Sequence, residues 1–133
     1  MKTTKKVTKK KKPSRKSLVK KLDTVVSLYI RKRDGACVIC GAVEQLTNGH
    51  LFSRAAYSTR WLELNCHGSC WGCNYRHEFD FYPYQNWFVK KYGQEVYDDL
   101  HRQYRTTKKW HNSDLEALII EYSEKLKSLE GQW

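Results

Sequence analysis

Apolar positions in the first third of the chain recur every three to four residues. Leu18, Leu22, Val25, Val26 and Tyr29 fall on one face of a helix expected over residues 17–34, with Lys20, Lys21, Lys32 and Arg33 opposite. Asp34-Gly35 ends it, because glycine accepts the left-handed backbone that follows a helix. From residue 36 to 80 that period is lost. Val38-Ile39, Leu46, Leu51-Phe52 and Trp61-Leu62 alternate with Gly, Asn and Ser, which predicts short strands and loops. Such a stretch buries little by itself, so something else must fix it.

Helical spacing returns at Pro83, a residue suited to a first turn, and the helix it opens ends at Gly93. Val96, Tyr97, Leu100 and Tyr104 follow on one face. Ser113-Asp114-Leu115-Glu116 then has the form of a capping box, with Ser113 as the cap. Leu115, Leu118, Ile119, Tyr122, Leu126 and Leu129 line the helix it starts, either as core or as a dimer surface. The expectation is an α+β chain: a helix, a small core over 36–80, and a helical region over 83–130, together one domain from 17 to 133.

Charge divides this chain. Of its 25 Lys and Arg residues, 11 lie within the first 21 positions, where there is no acid; the remainder carries 14 bases and 14 acids. A block of like charge repels itself, so residues 1–16 are expected to be a disordered arm. Lys9, Lys10, Lys11 and Lys12 would meet a polyanion there, each neutralised phosphate releasing counterions. A solubilising tail is the plainer alternative. No run of about 18 apolar residues is present, so no membrane span is expected. The basic N-terminus also lacks the apolar stretch of a secretory signal. The expected setting is cytoplasmic and reducing, where cysteines bind metal more often than they pair.

Cys37-x-x-Cys40 and Cys70-x-x-Cys73 can place four thiolates around one zinc ion, each pair on its own tight turn. Four protein ligands leave no open position, so this zinc is read as structural. Cys66 is the odd thiol and reads as buried and free, with Cys66-His67 as an alternative ligand source. Within and after this frame stand His50, Arg54, Arg60, Glu63, Asn65, Asn74, His77 and Glu78. His50 ends a short strand, Asn65 lies in a connecting loop, and Asn74 opens a helix that would put Asn74 and Glu78 on one face.

This order resembles the zinc-stapled HNH (ββα-metal) endonucleases, and most of all the NinG (Rap) recombination proteins of lambdoid phages. The likeness runs through Tyr29-Ile30-Arg31-Lys32-Arg33-Asp34, Gly49-His50-Leu51-Phe52-Ser53-Arg54, Cys70-Trp71-Gly72-Cys73-Asn74 and Lys90-Lys91-Tyr92-Gly93, covering roughly residues 18–129. The resemblance implies a ββα-metal core in which His50 is the general base, Asn65 holds the loop that orients it, and Asn74 is a cation ligand. Many HNH proteins have Asp, Glu or His just before the base, where this chain has Gly49. The catalytic Mg²⁺ or Mn²⁺ would then rest on Asn74 with Glu78 or His77, water and phosphate oxygens.

Arg54 and Arg60 could clamp neighbouring phosphates, or either could pair with Glu63. The function so implied is metal-dependent cleavage of DNA, branched duplex such as Holliday junctions and D-loops, by a phage- or prophage-encoded protein in the bacterial cytoplasm. Two symmetric cuts would suit a homodimer. The alternatives are a non-catalytic zinc-finger module that binds nucleic acid, and a general nicking, homing or packaging nuclease.

Overall fold

A computed structural model describes residues 12–131; Lys9, Lys10 and Lys11 of the basic arm and Trp133 lie outside the described residues. The elements are α1 (Arg15–Asp34), β1 (Leu46–His50), a 3-10 turn (Glu63–Asn65), β2 (Cys66–Cys70), α2 (Trp71–His77), α3 (Tyr82–Tyr92), α4 (Gln94–Tyr104) and α5 (Asn112–Glu130). The architecture is α+β, five helices with one two-stranded antiparallel sheet among the described residues. No helix there is long and apolar enough to cross a membrane.

Helix α1 starts two residues earlier than its apolar stripe suggests, because the Ser14 hydroxyl accepts from Ser17 N–H at 3.1 Å. Gly35, at φ 69°, ends it and donates to Arg31 O. Its buried face (Leu18, Leu22, Val26, Ile30) packs on Leu115, Ile119 and Tyr122 of α5. The α5 stripe is therefore covered from within the chain at Leu115, Ile119 and Tyr122. The start of α5 also differs from expectation. Ser113 is not the cap: His111 is, and the Asp114 carboxylate accepts its N–H at 2.8 Å. An acid three residues into the helix satisfies that donor and faces the positive end of the helix dipole.

The sheet pairs Leu46 with Cys70 and His50 with Cys66. It lies against the end of α1, where Gly68 N–H donates to Asp34 Oδ2 at 2.7 Å. Arg33 does not join an exposed basic face. It is held by Asp34, Glu63 and the Cys66 carbonyl. A second apolar cluster joins Leu51 and Phe52, just after β1, to Tyr84 and Phe88 of α3 and Tyr97 and Leu100 of α4. The end of β1 is thus gripped from both sides.

Candidate metal centre and adjoining cleft

The two cysteine pairs meet at one end of the sheet. The Sγ atoms of Cys37, Cys40, Cys70 and Cys73 all lie within 4.8 Å of one another, and Cys40 and Cys70 are 3.7 Å apart. Zinc–thiolate bonds of about 2.3 Å in a tetrahedron put sulfurs roughly 3.8 Å apart, so the donor set fits that ion. Each pair is a tight turn with N–H groups aimed at sulfur: Cys40 N at 3.5 Å from Cys37 Sγ, Cys73 N at 3.4 Å from Cys70 Sγ. Burial alone would raise the Cys37 thiol, but backbone N–H groups of Cys70, Cys40 and Ile39 prevail and bring it to about 7. Gly41, at φ 83°, closes the first turn. The Cys70 sulfur also caps α2, so the second turn is itself the start of that helix. Asn74 consequently stands inside α2 and does not open it.

Cys66 takes no part in the cluster. It is fully buried, its thiol pushed up to about 12 by desolvation, and it donates to Arg60 O at 3.5 Å. His67 is likewise not in the four-cysteine group; it is walled in by Trp87, Tyr84, Phe88 and Tyr92, with burial holding its pKa near 4. Tyr84 donates to Gly49 O at 2.7 Å and so must accept from His67 Nδ1 at 3.0 Å.

A cleft of about 810 Å³ opens beside this frame, and His50, Asn74, His77, Glu78 and Arg54 all line it. The ring of His50 is fixed by Arg60 O, 3.0 Å from Nε2. A carbonyl only accepts, so Nε2 carries the hydrogen and Nδ1 keeps its lone pair. Burial pushes the pKa of His50 down to about 4, against the carbonyl hydrogen bond and aided by the charges of Arg54 and Arg60. The imidazole is neutral at pH 7 and available as a base.

Asn65 does not line the cleft. Its buried side chain accepts from Phe52 N–H at 2.9 Å and donates to Phe52 O at 3.0 Å and Thr59 O at 3.1 Å. It ties the start of the 51–60 loop to its end, one residue from the carbonyl that holds His50.

The two arginines part company. Arg60 is 8% exposed and grips both carboxylate oxygens of Asp23, with its Nη1 on Arg54 O at 3.2 Å. It is committed to the protein and has no freedom to clamp a phosphate. Arg54 reaches Asp23 at 3.1 Å but leaves 62% of its side chain exposed at the cleft. Neither pairs with Glu63, which is held by Tyr29, Arg33 and Lys125. Lys12 is exposed, apart from the cleft lining.

Two lining residues escaped the sequence reading of roles. Asp23 is the anchor for Arg60, Arg54 and the Trp61 indole N–H; desolvation opposes its ionisation, but those partners keep its pKa below the usual range. Asn48 stands two residues before His50, hence on the same face of β1, and its Oδ1 is buried with no partner. His77 is alike: Nε2 lies 2.8 Å from Leu51 O, so Nδ1 bears the lone pair, buried and unpartnered. Gly49 cannot supply a ligand, since a Cβ there would come within 2.7 Å of Ser69 Cβ. Among the described residues the four cysteines are the one tight His/Cys/Asp/Glu group. A cation in the cleft would therefore need amide oxygens as donors. Asn48, Asn74, Glu78 and His77 all line the cleft.

A mixed α+β protein with a four-thiol centre beside a histidine- and asparagine-lined cleft is the class these features define. The family model described as "Bacteriophage Lambda NinG protein" matches residues 1–132, and the chain belongs to the NinG family. Protein ninG of Escherichia phage lambda is 30% identical over 118 residues, covering 85% of this chain and 57% of that protein. Protein ninG of Salmonella phage P22 is 28% identical over 116 residues, covering 84% and 57%. The chain thus spans a little over half the length of these curated relatives. No solved structure matches it.

Proposed function

We propose that this protein is a zinc-stapled, metal-dependent DNA endonuclease of the HNH type, acting on branched duplex in the bacterial cytoplasm during phage or prophage recombination. One observation carries the reading: a neutral His50, its tautomer set by Arg60 O, lines the same cleft as Asn74, His77 and Glu78. The order β1, β2, α2, with a long connection between the strands, supports the reading of a ββα-metal core. His50 Nδ1 takes the proton from an attacking water, and Asn65 keeps the 51–60 loop, and with it the Arg60 carbonyl, in place. Asn74, Asn48, Glu78 and His77 would hold the catalytic cation, and Arg54 would meet a neighbouring phosphate. Bound Mg²⁺ or Mn²⁺ supplies Lewis-acid stabilisation of charge at the scissile phosphate. Zinc on the four thiolates is structural. Two cuts at a junction call for two copies, joined elsewhere than on the covered α5 stripe.

The test is nicking of supercoiled plasmid in Mg²⁺ by the zinc-loaded protein, repeated with His50→Ala. The reading expects nicking that the variant loses. Nicking by neither protein would favour a binding module without chemistry, and equal nicking by both would remove His50 from its role. A preference of less than a few fold for a four-way junction over linear duplex would make it a general nuclease.

A further inference from the structure

Helix α2 presents two differently used sides. Asn74, His77 and the C-cap residue Glu78 border the cleft, whereas Trp71 and Tyr75, continued at the same spacing of four by Phe79 in the turn after the helix, form an outward row. They are 61%, 54% and 70% exposed, and Tyr82 just beyond is 66% exposed. No residue of α2 is buried, so the row contributes nothing to the core. The rings order one another: Trp71 and Tyr75 are parallel, with centroids 5.5 Å apart and planes 2° apart, and Phe79 meets Tyr75 edge-on at 5.4 Å. A contiguous exposed apolar patch of this kind marks a binding surface.

Its chemistry selects the occupant. Every large apolar side chain in the row is a planar ring with a π-face, and no Leu, Ile or Met stands among them to fit a protein groove. Arg76 is set on the same helix, its side chain 58% exposed and paired with Asp80 at 3.3 Å, and the chain's first 21 positions hold 11 Lys and Arg residues and no acid, a charge that complements a polyanion. Asn74, on the same helix as Trp71 and Tyr75, lines the cleft, while the three rings themselves face away from its lining. We infer that Trp71, Tyr75 and Phe79 form a stacking platform for unpaired bases of a DNA strand whose backbone enters the cleft. The inference rests on the nuclease reading for the identity of the polymer. It adds how branched substrates are told from paired duplex: stacking needs bases that are already splayed, and it accepts any sequence.

The experiment measures binding, so it does not depend on cleavage. The zinc-loaded chain without Mg²⁺ is titrated, at fixed salt, into a labelled duplex bearing a single-stranded flap and into a fully paired duplex of equal charge. The wild type should bind the flap about tenfold more tightly, the order expected for one or two stacked bases. The double variant Trp71→Leu, Tyr75→Leu keeps apolar bulk and removes the π-faces, and should lose that ratio. Phe79→Ser, away from the thiolates, is a second variant expected to lower it about threefold. Because the readout is binding, a protein that never cuts DNA can still support or refute this platform. Equal binding of both probes by the wild type overturns the inference. So does a ratio that survives in the leucine variant, and a drop in mass by light scattering with the ratio unchanged would assign the surface to a second copy.

Discussion

Helices α1 and α5 hold each other through Leu18, Leu22, Val26, Ile30, Leu115, Ile119 and Tyr122, none more than 9% exposed. Helix α2, in contrast, has no buried residue, and the sheet it follows has two short strands. The first region is stabilised by apolar area removed from water, roughly 1.5–3 kcal/mol for each fully buried large side chain. The second has the smaller cluster around Leu51, Phe52, Tyr84 and Phe88 at the end of β1, and relies besides on four sulfurs and on individual hydrogen bonds such as those of Asn65 and Asp34. Apolar packing tolerates small shifts, whereas directional bonds fix atoms to a fraction of an ångström. The cleft residues sit on the directional side of the molecule, and the helical pair serves as its anvil.

Removing the zinc ligands should break the comparison most severely. In Cys37→Ser, Cys40→Ser, or after chelation, amide exchange protection should vanish over residues 37–77 while the α1–α5 pair keeps most of its helical circular dichroism; nicking should fall below detection, since binding of structural zinc is itself folding energy. Uniform unfolding of both regions would show that they are not separable. His50→Ala comes next, with nicking slower by about 10² to 10⁴-fold and the melting curve little changed.

Asn65→Ala tests the directional bonds alone. It leaves the buried Phe52 N–H without its partner and should cost about 2–3 kcal/mol in urea unfolding, a loss that Asn65→Asp cannot restore because the donors to Phe52 O and Thr59 O are gone. The arginines give a sharper contrast still. Arg60→Ala takes from Asp23 its two-point partner, leaving it Trp61 N–H and the exposed Arg54, and should lower stability by about 1.5–3 kcal/mol, whereas Arg54→Ala should leave stability alone and reduce the salt dependence of DNA binding by about one unit of slope.

The smallest effect concerns pH. An ordinary histidine base would halve the rate near pH 6.5 as it protonates. Burial has lowered the pKa of His50 to about 4, so it stays neutral as the pH falls from 8 to 6. Single-turnover nicking should therefore remain level across that window; a drop centred on pH 6.5 would place the imidazole in water.

The helices were legible because their apolar positions repeat, and the four cysteines because their spacing has few other uses. What stayed hidden were partnerships across long stretches of chain. Arg60 pairs with Asp23 and Glu63 with Arg33 and Lys125, and no local pattern announces either. The role of Asn48 was within reach, since alternation along β1 puts it on the face of His50, but a five-residue strand with one buried position gives little pattern to read. The cap of α5 moved from Ser113 to His111 because a carboxylate reached a backbone donor, a choice between two adjacent boxes that spacing leaves open.

Chemical rescue addresses the central claim most directly. Zinc-loaded His50→Gly opens the place of the imidazole beside the Arg60 carbonyl, and added imidazole can fill it. The account predicts that single-turnover nicking, nearly absent in the variant, returns in proportion to the neutral imidazole in solution. A variant that nicks as fast as the wild type without imidazole would contradict it.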